Sequence, residues 1–384
     1  MITVTSRVLT LEPFPAVGIR IRVLHGTSQV NKTYVALIGD IGFTFYYMIV
    51  IVSSENDTST EEVIRYLIKW DINFFRINDI DRTRIVNISI SNCSDTHIEL
   101  SIKKPYKNKW DKVRLDKNDY LWYRRGDITL TNIVEGANTG IKSPYIDNIK
   151  IRLEAEEEKV RDFIYVFFYS RGRSLNTRQD NYINKLAVLQ VARDVDLKIP
   201  HTVVSGDKNT VLSTLGNCGD VITKAISENN IFHRKRREIT YLYTSQVQVS
   251  NVEEKHEVFF PSLLQNLITK DFELRIFYLE GEFYAAAILS QKNDKTKIDF
   301  RNYDDSNPNR VLRYTLPNSI KEKITRLMVL LNLNSGSIDM IVSDAGEYIF
   351  LEVNPIGQYM QISVPCNYNL SHKIALLMKN KIDA

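Results

Sequence analysis

Three oxygen-bearing side chains, Asp339, Glu352 and Asn354, stand in a stretch that otherwise has the pattern of a buried hairpin, "SIDMIVSDAGEYIFLEVNP" (337–355). Bulky residues (Ile341, Tyr348, Phe350) flank a turn signal, Asp344-Ala345-Gly346-Glu347. With Ala345-Gly346 as a two-residue turn, 343 faces 348, 341 faces 350 and 339 faces 352. Period-2 alternation then sets Asp339 and Glu352 opposite each other on one face, with Asn354 two residues further along it. Like charges about 5 Å apart at Cβ are destabilising. Two compensations are open: a solvated sheet edge, or a hard divalent cation. Mg2+ takes oxygen ligands, commonly one or two carboxylates plus substrate phosphates, and two acids with an amide oxygen suit it.

Chemistry of that kind also needs cations. Lys224 lies in the apolar strand pattern "VITKA", where a lysine is rarely buried without an anion. Arg275, in "ELRIF", falls on a strand pattern, and its rigid fork suits phosphate or carboxylate oxygens. Lys185 lies on a face of the helical stretch "NKLAVLQVARD", where a solvated charge is ordinary. Arg124-Arg125-Gly126 end the aromatic run "YLWYRRG"; a solvated loop and a phosphate or carboxylate contact are both open. The run His233-Arg234-Lys235-Arg236-Arg237 reads as a solvated loop, or else as a lid or a contact for an acidic peptide.

The elements that must position these groups begin at Met48. "MIVIVSS" is a buried strand pattern, followed by a helix in "TSTEEVIRYLIKW" capped by Thr58 or Ser59, with Glu61 and Glu62 at its positive end. Strands follow in "INFFRIND", "RIVNISIS" and "HIELSIK", then a charged helix over about 150–168. A second helix spans about 184–194, and Pro200 breaks it into a strand. After "VITKA" the stretch "EVFFPSLLQNLITKDFELRIFYLEGEFYAAAILS" reads as a strand, a short connection and a hairpin turning at Glu280-Gly281, followed by a helix over 318–334, the opening hairpin and a last helix in "LSHKIALLMKN". Helices alternating with strands point to an α/β (α+β) chain.

The chain has 384 residues, 43% of them hydrophobic, enough for more than one core. A formal net charge of +4 permits an acidic ligand without demanding nucleic acid. Cys93, Cys218 and Cys366 are far apart, so structural zinc and a disulfide framework are not expected, and a reducing cytoplasm fits. The stretch 34–52 is the only membrane suspect, but it carries Asp40 and two glycines and falls short of the roughly 20 apolar residues a span needs. No membrane association is expected. Residues 1–47 are expected to be an extension, either extra or upstream of the true start, and dispensable.

The motifs "NKLAVLQVARDVDLKIPHT", "VITKA", "LLQNLITKDFELRIF", "SIDMIV" and "FLEVNPIGQ", in that order, resemble those of the ATP-grasp ligases. "KIDFRNYD", "YTLP" and "FLEVNPIGQY" resemble the microviridin-type graspetide synthetases more narrowly. The opening from Met48 and "LWYRRGD" look closest to the grasp-with-spasm maturases. The resemblance covers about 48–384.

It implies an ATP-grasp fold with ATP between two antiparallel sheets. An N-terminal pre-ATP-grasp α/β domain would span 48–170, a central subdomain 171–262 and a C-terminal catalytic subdomain 263–384. It implies a ligase that activates Asp or Glu side chains of a ribosomally made precursor peptide as acyl phosphates. A Thr or Ser hydroxyl or a Lys amine of the same peptide then closes a macrocyclic ω-ester or ω-amide. On the matching positions, Lys185 and Lys224 would hold ATP phosphates, and Gln265, Leu267 and Ile268 the adenine, with Lys270 near the ribose. Asp339, Glu352 and Asn354 would hold Mg2+, and Arg275 and Arg301 would serve the reacting groups. Leu267 and Ile268 also read as plain core. Implied partners are a precursor with a leader, a SPASM-domain protein and a second copy of the chain as a homodimer. A glutamylating ligase adding amino acids to a protein, or a nucleotide-binding module without catalysis, are the alternative functions.

Overall fold

The computed structural model describes residues 47–131, 146–227, 231–235, 238–241, 244–291, 306 and 308–384. The strand β1 (Ile49–Ser53) is buried along its whole length, as an apolar run without alternation requires of a central parallel strand. Helix α1 (Thr58–Lys69) follows; its N-cap is Asp57, whose carboxylate accepts from the Thr60 amide, and not Thr58 or Ser59. With β2 (Phe74–Asn78), β6 (Tyr120–Tyr123) and β7 (Ser174–Leu175), β1 forms a parallel sheet in the order β2-β1-β6-β7. An antiparallel meander, β3 (Arg82–Ser89), β4 (His97–Lys103) and β5 (Asp111–Leu115), and the helix α2 (Ile146–Tyr169) complete this region. Of the apolar stretch 34–52, residues 34–46 lie outside the described residues and the rest leads into β1. Among the described residues no helix is long and apolar enough to cross a membrane.

A central antiparallel sheet, β12-β9-β13-β8, is built from β8 (Thr202–Asp207), β9 (Val221–Lys224), β12 (Ser245–Gln246) and β13 (Val258–Asn266). Helices α4 (Lys208–Cys218) and α5 (Val249–Glu253) pack on it around Val211, Leu215, Val221, Val252 and Leu264. The sequence pattern missed α4. Its ends were readable: Asp207 accepts from the Thr210 amide at 2.7 Å, and Gly219 closes it with φ +70°. A separate hairpin, β10 (Ile231–Lys235) and β11 (Glu238–Tyr241), takes up part of the basic run; Arg236 and Arg237 lie outside the described residues.

The third sheet, β16-β15-β14-β17-β18, holds β14 (Lys270–Leu279), β15 (Glu282–Leu289), β16 (Arg310–Tyr314), β17 (Ser335–Ser343) and β18 (Tyr348–Asn354). Helices α3 (Lys185–Asp194) and α6 (Asn318–Leu330) bury their apolar faces on one side of it, against Leu274, Ile276, Met340, Phe350 and Val353. The other side carries Phe277 and Leu279 onto α7 (Met360–Ser363), α8 (Leu370–Asp383) and the parallel sheet. The outer edge of β18 is not open, because the Lys198 carbonyl accepts from the Phe350 amide at 2.7 Å.

The hairpin β17–β18 differs from its expected form in one respect. The loop has three residues, Asp344, Ala345 and Gly346, closed by Ser343 N–H to Glu347 O at 2.9 Å, with Gly346 at φ +76°. Val342 therefore pairs with Tyr348 and Ile341 with Ile349, one step off the two-residue register. A bulge then restores it: Met340 pairs with Phe350, but Asp339 pairs with Glu352. The extra residue, Leu351, is why Phe350 and Val353, three apart, both reach the same core.

Candidate active site

The central sheet and the β14–β17–β18 face meet across a cleft of about 710 Å³, counted to its open mouth. Lys224, Gln265, Leu267, Ile268, Lys270, Asp339 and Glu352 all line it.

Asp339 and Glu352 face each other in register. Each is only 7% exposed, which excludes the solvated-edge reading. Asn354 is on the same face and donates to Glu352 Oε1 at 3.3 Å. The like-charge conflict is relieved by two cations that spacing alone did not place there. Arg275 pairs in register with Asp339 from β14, and its Nη1 donates to both Asp339 oxygens at 2.7 Å. Lys185 Nζ reaches Glu352 Oε2 at 3.2 Å. Asn184 caps α3 by accepting from Leu186 and Ala187, which starts the helix at Lys185 and sets that side chain beside β18. Lys185 is thus not a solvated helix charge: its side chain is 11% exposed.

Lys224 ends β9 in register with Leu263 and lines the cleft from the central sheet. Gln265 is buried and donates to Thr202 Oγ1 at 2.9 Å. Leu267 and Ile268 are half-buried on the cleft wall, so they are not plain core. The Leu267 amide is committed to the Asp220 carbonyl at 2.8 Å. Lys270 is buried and pairs with Glu273, which also accepts from Ser290 at 3.0 Å. Glu273 was missed, although "ELR" places it two residues before Arg275 and hence on the same strand face. Arg301 and the phrase around it lie outside the described residues.

The donor set fits a hard divalent cation that also takes phosphate oxygens. Two buried carboxylates and an amide share one face. Among the described residues no three His, Cys, Asp or Glu side chains form a group that could hold a metal ion, so the set is two carboxylates and an amide. The buried Arg275 Nε has no hydrogen-bond partner within the protein.

No protein-family model and no curated protein matches the chain. Solved structures do. A RiPP-associated ATP-grasp ligase from Chryseobacterium gregarium, in complex with ADP and a leader and core peptide, matches with TM-score 0.67 and 23% identity, over 87% of this chain and 97% of that one. The macrocyclase MdnC bound with precursor peptide MdnA from Microcystis aeruginosa MRC matches with TM-score 0.63 and 24% identity, over 87% and 99%. The ATP-grasp ligase PsnB, complexed with a phosphomimetic variant of its minimal precursor, Mg and ADP, matches with TM-score 0.62 and 16% identity, over 88% and 100%. The chain has the fold of the ATP-grasp ligases.

Proposed function

We infer that the chain is an ADP-forming carboxylate ligase acting on a ribosomally made precursor peptide. The observation that carries this is the cleft itself. It sets a lysine of one sheet opposite two buried acids of another, on the fold shared with ligases seen bound to ADP and to precursor peptides. An unactivated carboxylate is a poor electrophile, so the site must hold triphosphate and carboxylate together; such catalysis is mostly positioning and charge stabilisation.

Lys224, from β9, and Lys185, at the start of α3, bind the phosphates of ATP. Gln265, Leu267 and Ile268 hold the base, and Lys270, oriented by Glu273, meets the ribose. Asp339, Glu352 and Asn354 hold Mg2+, which when bound neutralises the phosphates and offsets the closeness of the two acids. Arg275 turns its guanidinium to the γ-phosphate or acyl phosphate oxygens; Arg301 is assigned to the reacting peptide on the resemblance alone. A side-chain carboxylate oxygen of the peptide takes the γ-phosphoryl group, and ADP leaves. A Thr, Ser or Lys side chain of the same peptide then attacks the acyl carbon. Inorganic phosphate departs, and the nucleophile's proton goes to solvent.

A SPASM-domain partner, a homodimer, a cytoplasmic location and the bounds 48–170, 171–262 and 263–384 belong to the same reading. The test is incubation with ATP, Mg2+ and short acidic, hydroxyl-rich peptides encoded beside the gene. Loss of one water per ring with matching ADP release supports the reading. A gain of one amino-acid residue supports the glutamylating alternative, and nucleotide binding without either product supports the non-catalytic module.

A further inference from the structure

The arginine Arg124 lies outside the cleft and none of the steps above uses it, yet it is buried to 3% exposure at the end of β6. Its Nε donates to Ser59 Oγ at 3.0 Å and lies 3.6 Å from Asp57 Oδ2. Its two other nitrogens leave the N-terminal region altogether. Nη1 donates to the Ile356 carbonyl at 2.6 Å, and Nη2 to Gln358 Oε1 at 3.4 Å. The guanidinium also sits 5.7 Å from the Tyr359 ring, and the Tyr359 hydroxyl donates to the Ser59 carbonyl at 3.0 Å. The loop that follows β18 is therefore gripped from the N-terminal end of α1 and the C-terminal end of β6.

The same loop touches the cleft from its other side. The Gln358 carbonyl accepts from Arg275 Nη2 and from Ser337 Oγ, both at 3.3 Å. Gly357 donates to the Asn354 carbonyl at 2.9 Å, and a Cβ there would stand 2.4 Å from the Ser337 Cβ. The loop thus lies flat against β17 with no slack. Arg124, the loop, Arg275 and Asp339 form one continuous run of contacts.

We propose that Arg124 is a positioning residue for the reaction site: it fixes the 356–359 loop, which sets the Arg275 guanidinium and through it the Asp339 carboxylate. The proposal rests on the ligase reading only in its last link, from Asp339 to Mg2+. A bare charge does not suffice, because the arginine fork must reach two acceptors on the loop while its Nε side faces Asp57 and Ser59. Burial and the neighbouring Arg125 pull its pKa down to about 10 against the pull of Asp57, so it stays charged at neutral pH.

Two measurements on the full chain decide it, using Arg124→Gln and Arg124→Lys. The first needs no ligand: amide hydrogen exchange at Gly357 is expected to quicken at least tenfold in both variants, with β14 and β17 amides unchanged. The second is the affinity for ADP with and without Mg2+. Removal of a partner behind a metal ligand typically costs 10–100-fold in metal affinity, so the gain in ADP affinity brought by Mg2+ is expected to shrink about tenfold while Mg2+-free affinity holds. Where Arg124→Gln fails to fold because the buried Asp57 keeps only Arg125 as a cation, Asp57→Asn/Arg124→Gln takes its place. Unchanged exchange at Gly357 overturns the clamp. Faster exchange with an undiminished Mg2+ gain overturns the link to the site, as does full rescue by Arg124→Lys. If the unaltered chain binds no ADP, the ligase reading fails, and the exchange measurement alone judges the clamp.

Discussion

Two arginines surrounded by acids, Arg178 and Arg275, show what separates a brace from a site. Arg178 reaches Asp127 at 2.7 Å, Glu158 at 2.6 Å and Asp162 at 3.2 Å. Arg161 takes Asp127 and Glu158 as well, and adds Glu157 at 2.6 Å. The cluster ties α2 to the segment after β6 and the turn before α3. Burial alone would lower the Arg178 pKa, but its bonds to Asp127 and Glu158 outweigh that and raise it. The two guanidinium groups are spread over four carboxylates, and none of these side chains lines the cleft. Around Arg275 the arrangement differs: Asp339 accepts from Arg275, Glu352 pairs with Lys185, and both acids line an open cleft. A cluster that closes on itself supplies stability, and one that leaves valence facing a cavity is available to bind.

The largest expected effect falls on the open cluster. Glu352→Gln should lower ring closure by about 10²–10³-fold, the usual loss when one charge-stabilising group is removed, as read by ADP release with a precursor peptide. It should also lower thermal stability without nucleotide, by about 1–3 kcal/mol, because Lys185 loses the acid it is buried against. Opposed acids alone would have predicted a gain, so a rise in melting temperature would show that repulsion between Asp339 and Glu352 outweighs their pairing. Lys224→Ala should weaken ATP binding by about 1.5–3 kcal/mol in calorimetry; equal ATP affinity would remove Lys224 from the binding set.

In the closed cluster the pattern should invert. Arg178→Ala should cost about 1–2 kcal/mol of stability, held down by the partial exposure of its partners, with ADP affinity unaltered. A drop in ADP affinity would show that Arg178 supports the nucleotide site as well. The smallest effect concerns acid. Burial would raise the Asp57 pKa, but Arg124, Ser59 and Arg125 outweigh it and bring it below the usual 3.8. A depressed carboxylate contributes stability that is complete above its unfolded value and is lost as pH falls through the folded one. Asp57→Asn should therefore flatten the stability curve below about pH 4 and change little of its shape near neutrality, as followed by denaturant titrations across that range.

Sequence and structure agree best where a pattern is local. The strands β1, β2, β4 and β14, and the helices α1, α3, α6 and α8, follow from apolar runs and periodicity. The opposition of Asp339 and Glu352 was also legible, though two offsets were not: a longer loop shifted the register by one and the bulge at Leu351 shifted it back. What escaped was long-range. Nothing in the spacing of Lys185 points to a residue 167 positions away, and nothing around Arg124 points to Ile356, 232 positions away. Such pairs are decided by how sheets stack, which periodicity within one segment does not encode. Asp57 and α4 are a different matter, since cap residues marked both.

The bulge has a consequence for how this hairpin can change over time. The three-residue loop and the one-residue bulge at Leu351 offset each other, so this hairpin can face Asp339 with Glu352 only while both are kept. A change of one residue in the loop, the place where a protein's length drifts most freely, preserves the opposed acids only when it is matched by a change at the bulge.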